Sequence, residues 1–526
     1  MSIRHTTLTV LAMASLLAAC DKGDSTEAKP SAAKSESKAD EAKTDEAKAD
    51  AEKIAKADET KTDEAKADEA KADGEAAADG EAAAADGEEA AADGEEAAAD
   101  GEEAAADGEE APAVGKAEPG KPGPAYFAVR DKGVVMLDGG TFTKVENGPD
   151  KLVRSIEAGP DGNVYMLGFE GVMRLDGAKA TVVAKTGFGE STGTLDDFAV
   201  TSDGEIWGVG FKGVSHFVDG AWSTEDKTVL GPEVKLIRSV AVDAKGRVFV
   251  TSSNALHMRD GDAWTTVDTS KQFKRDAFFE DVATGPEGVV FTIASGKMLK
   301  VVEPDAIESL KVGKKFAMLS ELGFSQLGVG ALKTASDVVT RVSDDGSKTD
   351  FKAGKAFAAD RIEDVTPDDS GRVWVASDAG VAILGPDKEV VEWKSGSIDE
   401  LVGQVEVIGV VGSGPELPGE VGPVKTGSLK GKVVLDGAGL ASAEVEICPK
   451  PSSFFRKSPC AESPTRRTAT TDADGNFEIA DVPLGAYGLA VKVDKKWRVT
   501  FGSEFGADMQ EGQAYDIGSV TLKSDG

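Results

Sequence analysis

The chain has 526 residues, a formal net charge of −35, and only three cysteines and three histidines. That length is room for about two to four domains. The acidic balance argues against nucleic acid or an anionic membrane surface as electrostatic partners, since both would be repelled, and so few histidines leave little material for hydrolytic triads or metal shells.

Arg4 and His5 give a short polar start, and Thr6 to Ala19 form an apolar run too short to cross a bilayer. The run ends in Leu17-Ala18-Ala19-Cys20, followed at once by Asp21, and resembles the lipobox of bacterial lipoproteins. The resemblance implies a signal peptide over 1–19, cleavage before Cys20, and a diacylglycerol on its thiol, usually with a fatty acid on the new amino group. Several acyl chains, at roughly 0.8 kcal/mol per buried methylene, hold a protein stably on a membrane. An ordinary secretory signal with Cys20 near its cleavage site is the alternative; either way the mature chain is expected to be exported. The expected location is a bacterial cell envelope, with the outer membrane or cell surface favoured over the inner membrane.

From Asp21 to Gly123 the chain carries 33 acidic residues against 13 lysines and no aromatic residue. Such a stretch cannot bury enough apolar surface to offset its chain entropy, so 20–123 is expected to be a disordered acidic linker. Its first half has helix formers with opposite charges three or four apart, enough for transient helix. Its second half repeats Ala-Asp-Gly-Glu-Glu-Ala-Ala, with a glycine every seven residues from Gly80 to Gly108. A coiled coil would need apolar a and d positions, and only alanine is on offer. As a flexible coil the linker would span on the order of 50–60 Å, enough to hold a folded part away from a lipid surface.

Beyond the linker one pattern recurs. "GPDGNVYMLGFEGVMRLDG" (159–177), "TSDGEIWGVGFKGVSHFVDG" (201–220), "DAKGRVFVTSSNALHMRDG" (243–261), "GPEGVVFTIASGKMLKV" (285–301) and "DDSGRVWVASDAGVAILG" (368–385) share a turn glycine. Gly162, Gly204, Gly246 and Gly288 are 42 residues apart, and Gly371 follows after 83, leaving room for a degraded copy placed at Gly330. Each unit reads as four short strands with alternating apolar residues and Gly-containing turns, the signature of a β-propeller blade. In detail the units resemble the two-component regulator propeller family, best at Gly371-Arg372-Val373-Trp374-Val375-Ala376-Ser377.

Two loose ends remain. "AYFAVRDKGVVMLDGGTFTKV" (125–145) lacks a first strand, and "VGQVEVIGVVG" (402–412) is a first strand alone. Joined, they make a seventh blade and leave no open sheet edge. The expectation is an all-β protein with a seven-bladed propeller over 124–412. Phe127 is placed in an aromatic ring with Tyr165, Trp207, Phe249, Phe291 and Trp374, and Lys333 takes that position in the degraded blade.

A Pro/Gly linker, 413–427, precedes a second module over 428–523. Thr471-Asp472, Gly475, Phe477, Pro483, Gly485, Tyr487 and Leu489 resemble the carboxypeptidase regulatory-like domain, which implies a small transthyretin-like β-sandwich without peptidase chemistry. Asp472-Ala473-Asp474-Gly475 lacks the spacing of a calcium loop and reads as a strand-to-strand turn. Cys448 and Cys460 have no histidine or C-x-x-C companion, so a metal site is not expected. In an oxidising envelope they would pair and close a loop; two free thiols are the alternative.

For catalysis the chain offers His216 and His257, at near-equivalent strand positions of consecutive repeats, and recurrence of that kind favours packing. There is no G-x-S-x-G, H-E-x-x-H or phosphate loop. No catalytic residue, metal or cofactor is expected. The reading is a non-enzymatic envelope lipoprotein that binds or scaffolds protein or polysaccharide, held to the membrane through Cys20. Two alternatives stand beside it: an enzyme similar to the streptogramin lyases enlisting His216 and His257, and a sensory ectodomain acting with a separate signalling partner.

Overall fold

The computed structural model describes residues 120–524, apart from breaks at 188–189, 274–276, 311–318, 326, 335–336, 344–346, 360, 453–456, 462 and 501–504. Cys20, the signal segment and the acidic linker lie outside the described residues.

Seven four-stranded antiparallel sheets follow one another around a ring, each paired in simple first-to-fourth order, and so form the expected seven-bladed propeller. We number the blades I to VII. Blade I combines Val405–Gly412 with the three strands between Pro122 and Lys144, and Tyr126 pairs with Gly409 across this closure. Blades II to VII cover 155–185, 195–226, 237–266, 279–310, 319–352 and 362–394. Their first strands are Ser155–Ala158, Leu195–Val200, Ile237–Val242, Phe279–Thr284, Leu319–Phe324 and Ile362–Pro367. Together with Val405–Gly412 these strands wall the central channel, and neighbours touch from Leu195–Val200 round through Val405–Gly412 to Ser155–Ala158. Up-and-down pairing sends the second-to-third turns and the loops between blades to one face. We call it the upper face; the tight turns between first and second strands leave the lower one.

Those lower turns show why the repeat motif exists. Gly371 sits at φ 88°, a conformation that strains any side chain. Asp368, buried beneath it, accepts from the backbone N–H of Ser370 and Arg372, from Arg372 Nε at 2.7 Å and from Trp374 Nε1 at 2.9 Å. The Asp-x-x-Gly-x-x-Trp spacing thus ties a turn, a strand and the next blade's packing into one unit. Asp161 holds the Tyr165 hydroxyl at 2.7 Å in the same way.

Two placements from the sequence are corrected by the strand register. The position equivalent to Trp207, which pairs with Ala199, is in blade I Tyr126, which pairs with Gly409. Phe127 lies on the opposite side of its strand, against Phe142, Trp374 and Trp393. Blade I has no first-to-second turn to set its register, because those strands come from opposite ends of the domain, and a slip of one residue exchanges the two faces. In blade VI the turn glycine is Gly328 at φ 100°, not Gly330, so Ala331 occupies the aromatic position and Lys333 lies two residues beyond it. Two glycines two residues apart made the turn ambiguous in sequence.

The C-terminal module is a β-sandwich. One sheet pairs Ala438–Gly439, Thr426–Leu435 and Asn476–Pro483, with Ala514–Leu522 added in parallel to Thr426–Leu435. The other is Arg467–Thr470, Glu444–Cys448, Gly488–Val493 and Lys496–Val499. Leu429, Val433, Val445, Phe477, Leu489 and Val491 form its core. Asp472 to Gly475 is a turn, in which Asp472 accepts from the N–H of Asp474 and Asn476. Cys448 and Cys460 are joined in a disulfide. Glu446, fully buried, accepts from Cys460 N at 3.0 Å and from Arg466 Nε at 2.8 Å, which fixes the far end of that loop.

Candidate site at the channel face

The channel wall is built from a recurring irregularity. In blades III to VII the first strand is bulged near its upper end, with shifts at Leu195/Asp197, Ile237/Ser239, Phe279/Asp281, Leu319/Glu321 and Ile362/Asp364. A bulge re-aims side chains and breaks pairing locally. Every second blade places aspartate after the bulge, in "DDFAV", "EDVAT" and "EDVTP". Asp197 accepts from Val240 N and Ser239 Oγ of blade IV, at 3.0 and 2.7 Å. Asp281 reaches Leu322 N of blade VI at 2.9 Å, and Asp364 reaches Ile408 N of blade I at 2.7 Å. These carboxylates staple neighbouring inner strands that share no ladder.

The staples carry an electrostatic cost. Asp197, Asp281 and Asp364 are half-buried, whereas Glu157 is exposed. Burial pushes Asp197 up to about 6. Burial, with repulsion from Asp197, pushes Asp281 up to about 7. Asp364 is raised by burial and by Glu321 beside it. Glu157 of blade II, although exposed, is raised by the low-polarity protein around it and by the carboxylates of Asp197 and Asp281. Lys333, which the sequence marked only as an oddity, enters here: its Nζ donates to Glu321 Oε2 at 3.1 Å and to Glu363 O at 2.7 Å.

Above the staples lies a ring of charged side chains at the mouth, and its two halves differ. On the side of blades VI, VII and I the acids are engaged. Glu363 accepts from Gln404 Nε2 at 2.7 Å and from Lys450 Nζ at 3.0 Å, and Glu406 accepts from Arg130 Nε at 2.6 Å. Lys450 belongs to the disulfide-closed loop of the sandwich, which therefore leans over this half of the mouth. Further contacts seat it: Lys425 meets Asp399 at 2.5 Å, Ser395 Oγ donates to Leu484 O at 3.1 Å, and Val402 packs into the sandwich core.

The half formed by blades II to V has no such cover among the described residues. Arg154 pairs with Asp196 at 2.5 Å. Arg238 stacks over Phe278 at 4.6 Å, and its Nε has no hydrogen-bond partner among the described residues. Glu280 Oε2 likewise has none, and burial, only partly offset by Arg238, pushes its carboxyl up to about 7. The upper-face loops and turns also carry Leu152, Phe169, Phe211, Val229, Leu236 and Phe278, with Lys227 over the Phe211 ring at 5.0 Å. They are six of the ten large apolar side chains left exposed among the described residues, and Phe211 is 79% exposed.

Neither histidine reaches this site. Both lie on third strands, two strands out from the channel. His216 Nε2 meets Glu205 Oε2 at 2.9 Å while its ring stacks on Trp207 at 4.0 Å. His257 is buried against Ser252 Oγ at 3.0 Å, and burial lowers its pKa. Among the described residues no three His, Cys, Asp or Glu side chains are grouped to hold a metal ion. The sequence pattern does not single out the channel acids, although the Asp-Phe and Asp-Val pairs recurring in the first strands of alternate blades are a signal for them.

No protein-family model and no curated protein matches the chain. Among solved structures it is similar to a streptogramin B lyase, 12% identical over 54% of this chain and 92% of that one, with a TM-score of 0.41. A virginiamycin B lyase from Staphylococcus aureus is 12% identical over 56% and 96%, with a TM-score of 0.35. The extracellular domain of a proposed one-component system from B. thetaiotaomicron is 9% identical over 75% of this chain and 62% of that one, with a TM-score of 0.39. With scores this low, none of these likenesses bears on function.

Proposed function

We propose that the chain is a non-enzymatic binding module of a bacterial cell envelope, anchored through Cys20 and presenting the open half of its upper face to a protein ligand. The observation that carries this reading is the uneven distribution of exposed apolar side chains. Six of the ten lie on upper-face loops and turns, while on the other side Lys450 of the sandwich meets Glu363 at the mouth. Contiguous exposed apolar patches rimmed by polar groups mark interaction sites, and loops on a rigid scaffold often carry binding function.

The anchor is supported by Leu17-Ala18-Ala19-Cys20 and the abrupt change at Asp21. The regulatory-like reading of the C-terminal module is supported by its two-sheet sandwich and the turn at Asp472. Absence of catalysis is supported by the placing of His216 and His257 in blade packing. A photo-crosslinking residue at Phe211 or Phe278 of the full chain, compared with one at Leu327 on the lower face, tests the binding reading in envelope preparations. Adducts from the upper face alone are expected; equal yields from both faces sink it. Label from a fatty-acid analogue is expected on the wild type and lost in Cys20→Ser. Turnover of a lactone abolished by His216→Ala would restore the lyase alternative.

A further inference from the structure

At the open half of the mouth two opposite charges stand on neighbouring strands without meeting. Arg238 and Glu280 are the residues left out of the ladder at the first-strand bulges of blades IV and V, and each is half-buried. Arg238 Nε and Glu280 Oε2 have no hydrogen-bond partner among the described residues, and no ion pair joins the two side chains. The guanidinium lies instead over the ring of Phe278, 4.6 Å from its centroid. The backbone at Phe278 is fixed, because its N–H donates to Ser295 Oγ and its carbonyl accepts from Ser295 N, both at 2.8 Å. The freedom in this group therefore lies in the long side chain of Arg238.

Which position the guanidinium takes depends on the charge of its neighbour. Beside a neutral carboxyl it gains more from the ring, whose negative face attracts a cation. Beside a half-buried carboxylate it gains more from an ion pair, since Coulomb attraction is strong where water is partly excluded, and an ionised oxygen left without a partner is costly. The orphaned Oε2 fits the first case, and burial, only partly offset by Arg238, pushes the Glu280 carboxyl up to about 7. Other charges leave the choice to this pair. Of the strands packed on Phe279–Thr284, Val248–Ser252 and Val290–Ala294 carry no charged residue. Asp281 of the same strand is engaged with Leu322 N, and Glu321 of blade VI is held by Lys333. Resting on the binding reading above, we propose that Arg238 is a two-position gate on the open half. It covers Phe278 while Glu280 is protonated and moves onto the Glu280 carboxylate when that group ionises, which uncovers the ring for an apolar side chain of the protein ligand. Linkage requires the reverse: a ligand that takes the ring drives Arg238 onto Glu280 and releases a proton, so binding tightens as pH rises through the titration of Glu280.

The test uses the full chain with 4-fluorophenylalanine at position 278 alone, followed by fluorine NMR from about pH 5.5 to 8.5. One sigmoidal change in shift is expected, with its midpoint at about 7. Glu280→Gln, close in shape but unable to ionise, and Arg238→Gln, which removes the cation, are both expected to flatten it. The same label at position 211 is expected to stay flat, because the cation over that ring, Lys227, is tied to Lys235 O at 3.3 Å. A flat curve in the otherwise unaltered chain, or a sigmoid that survives Glu280→Gln, overturns the gate. Photo-crosslinking through position 211, which leaves the gate intact, reads the ligand in envelope preparations. Adducts are expected to rise at least threefold from pH 6 to pH 8, and to lose that rise in Glu280→Gln. Equal yields at both pH values overturn the coupling to the ligand while the binding reading stands. If no adduct forms at either pH the binding reading falls, and the fluorine curve decides the gate by itself.

Discussion

Two halves of one channel mouth are built from the same repeated strand, yet one is closed and the other open. Under the sandwich, Glu363 has Lys450 and Gln404, and Glu406 has Arg130. Below them Phe127, Phe142, Trp374 and Trp393 interlock with centroid distances of 5.7 to 6.2 Å. Around the open half, Glu280 Oε2 and Arg238 Nε have no hydrogen-bond partner among the described residues, and Phe211 and Phe278 stay largely exposed, with Lys227 and Arg238 over their rings. The difference is one of coverage: an intramolecular domain satisfies the mouth where it reaches, and the remainder keeps the features of a surface that has yet to be covered.

The largest effect should come from the closed side. Trp374→Ala removes a fully buried ring that joins blades VII and I, and is expected to cost about 3–5 kcal/mol in denaturant unfolding. If it costs no more than Phe211→Ala, the closed half is not the better packed of the two. Next, replacing Cys448 and Cys460 by serine opens the loop that carries Lys450. A loss of about 3 kcal/mol is expected in the sandwich transition, and calorimetry resolving that transition checks it.

The pH dependence probes the staples shared by both halves. Burial pushes Asp197 and Asp281 up to about 6 and about 7 in the folded chain, above the ordinary carboxylate value near 4. The folded state therefore binds more protons than the unfolded state between about 4 and 7, and stability falls as pH rises through that window. His257, with a lowered pKa, acts in the opposite sense: the stability it supports is present above its ordinary 6.5 and lost as pH falls below it. The carboxylates outnumber it, so melting at pH 6 is expected to exceed that at pH 8, by on the order of 2 kcal/mol. Asp281→Asn should flatten the profile; an unchanged slope would show that the staples are not what titrates.

A smaller effect is expected for Lys450→Ala. The pair with Glu363 is partly exposed, so a double-mutant cycle with Glu363→Gln should give a coupling of about 1 kcal/mol. Zero coupling would mean that the sandwich rests on Lys425, Ser395 and Val402 instead. Smallest of all, Phe211→Ser and Leu236→Ser should change stability by no more than about 0.5 kcal/mol, since both are exposed. A larger loss would recast the open half as structural.

Much of the architecture was legible from local pattern. The 42-residue period, the Asp-x-x-Gly-x-x-Trp turn and the orphan first strand at 402–412 were enough for a seven-bladed ring, because each blade's pairing is local and its turn chemistry is written in consecutive residues. Legibility failed where that local support was missing. Phe127 was displaced by one residue from Tyr126 because no turn joins the two strands of blade I that set the register. Gly330 was taken for Gly328 because blade VI has no aromatic to mark the spacing. The channel role of Asp197, Asp281 and Asp364 is not legible locally, because each looks like an ordinary polar residue on an alternating strand.

By itself, then, the sequence determined the fold class, the repeat count, the sandwich and the paucity of catalytic residue types, all properties of short-range periodicity and composition. Only the tertiary structure decided that acids 84 and 83 residues apart in the chain line one lumen. It alone decided that Lys450 reaches across 87 residues to Glu363, and that six scattered apolar residues share one face. Ring closure superimposes the equivalent positions of all blades around an axis, and the docked sandwich then breaks that symmetry. Neither operation leaves a trace in neighbouring residues.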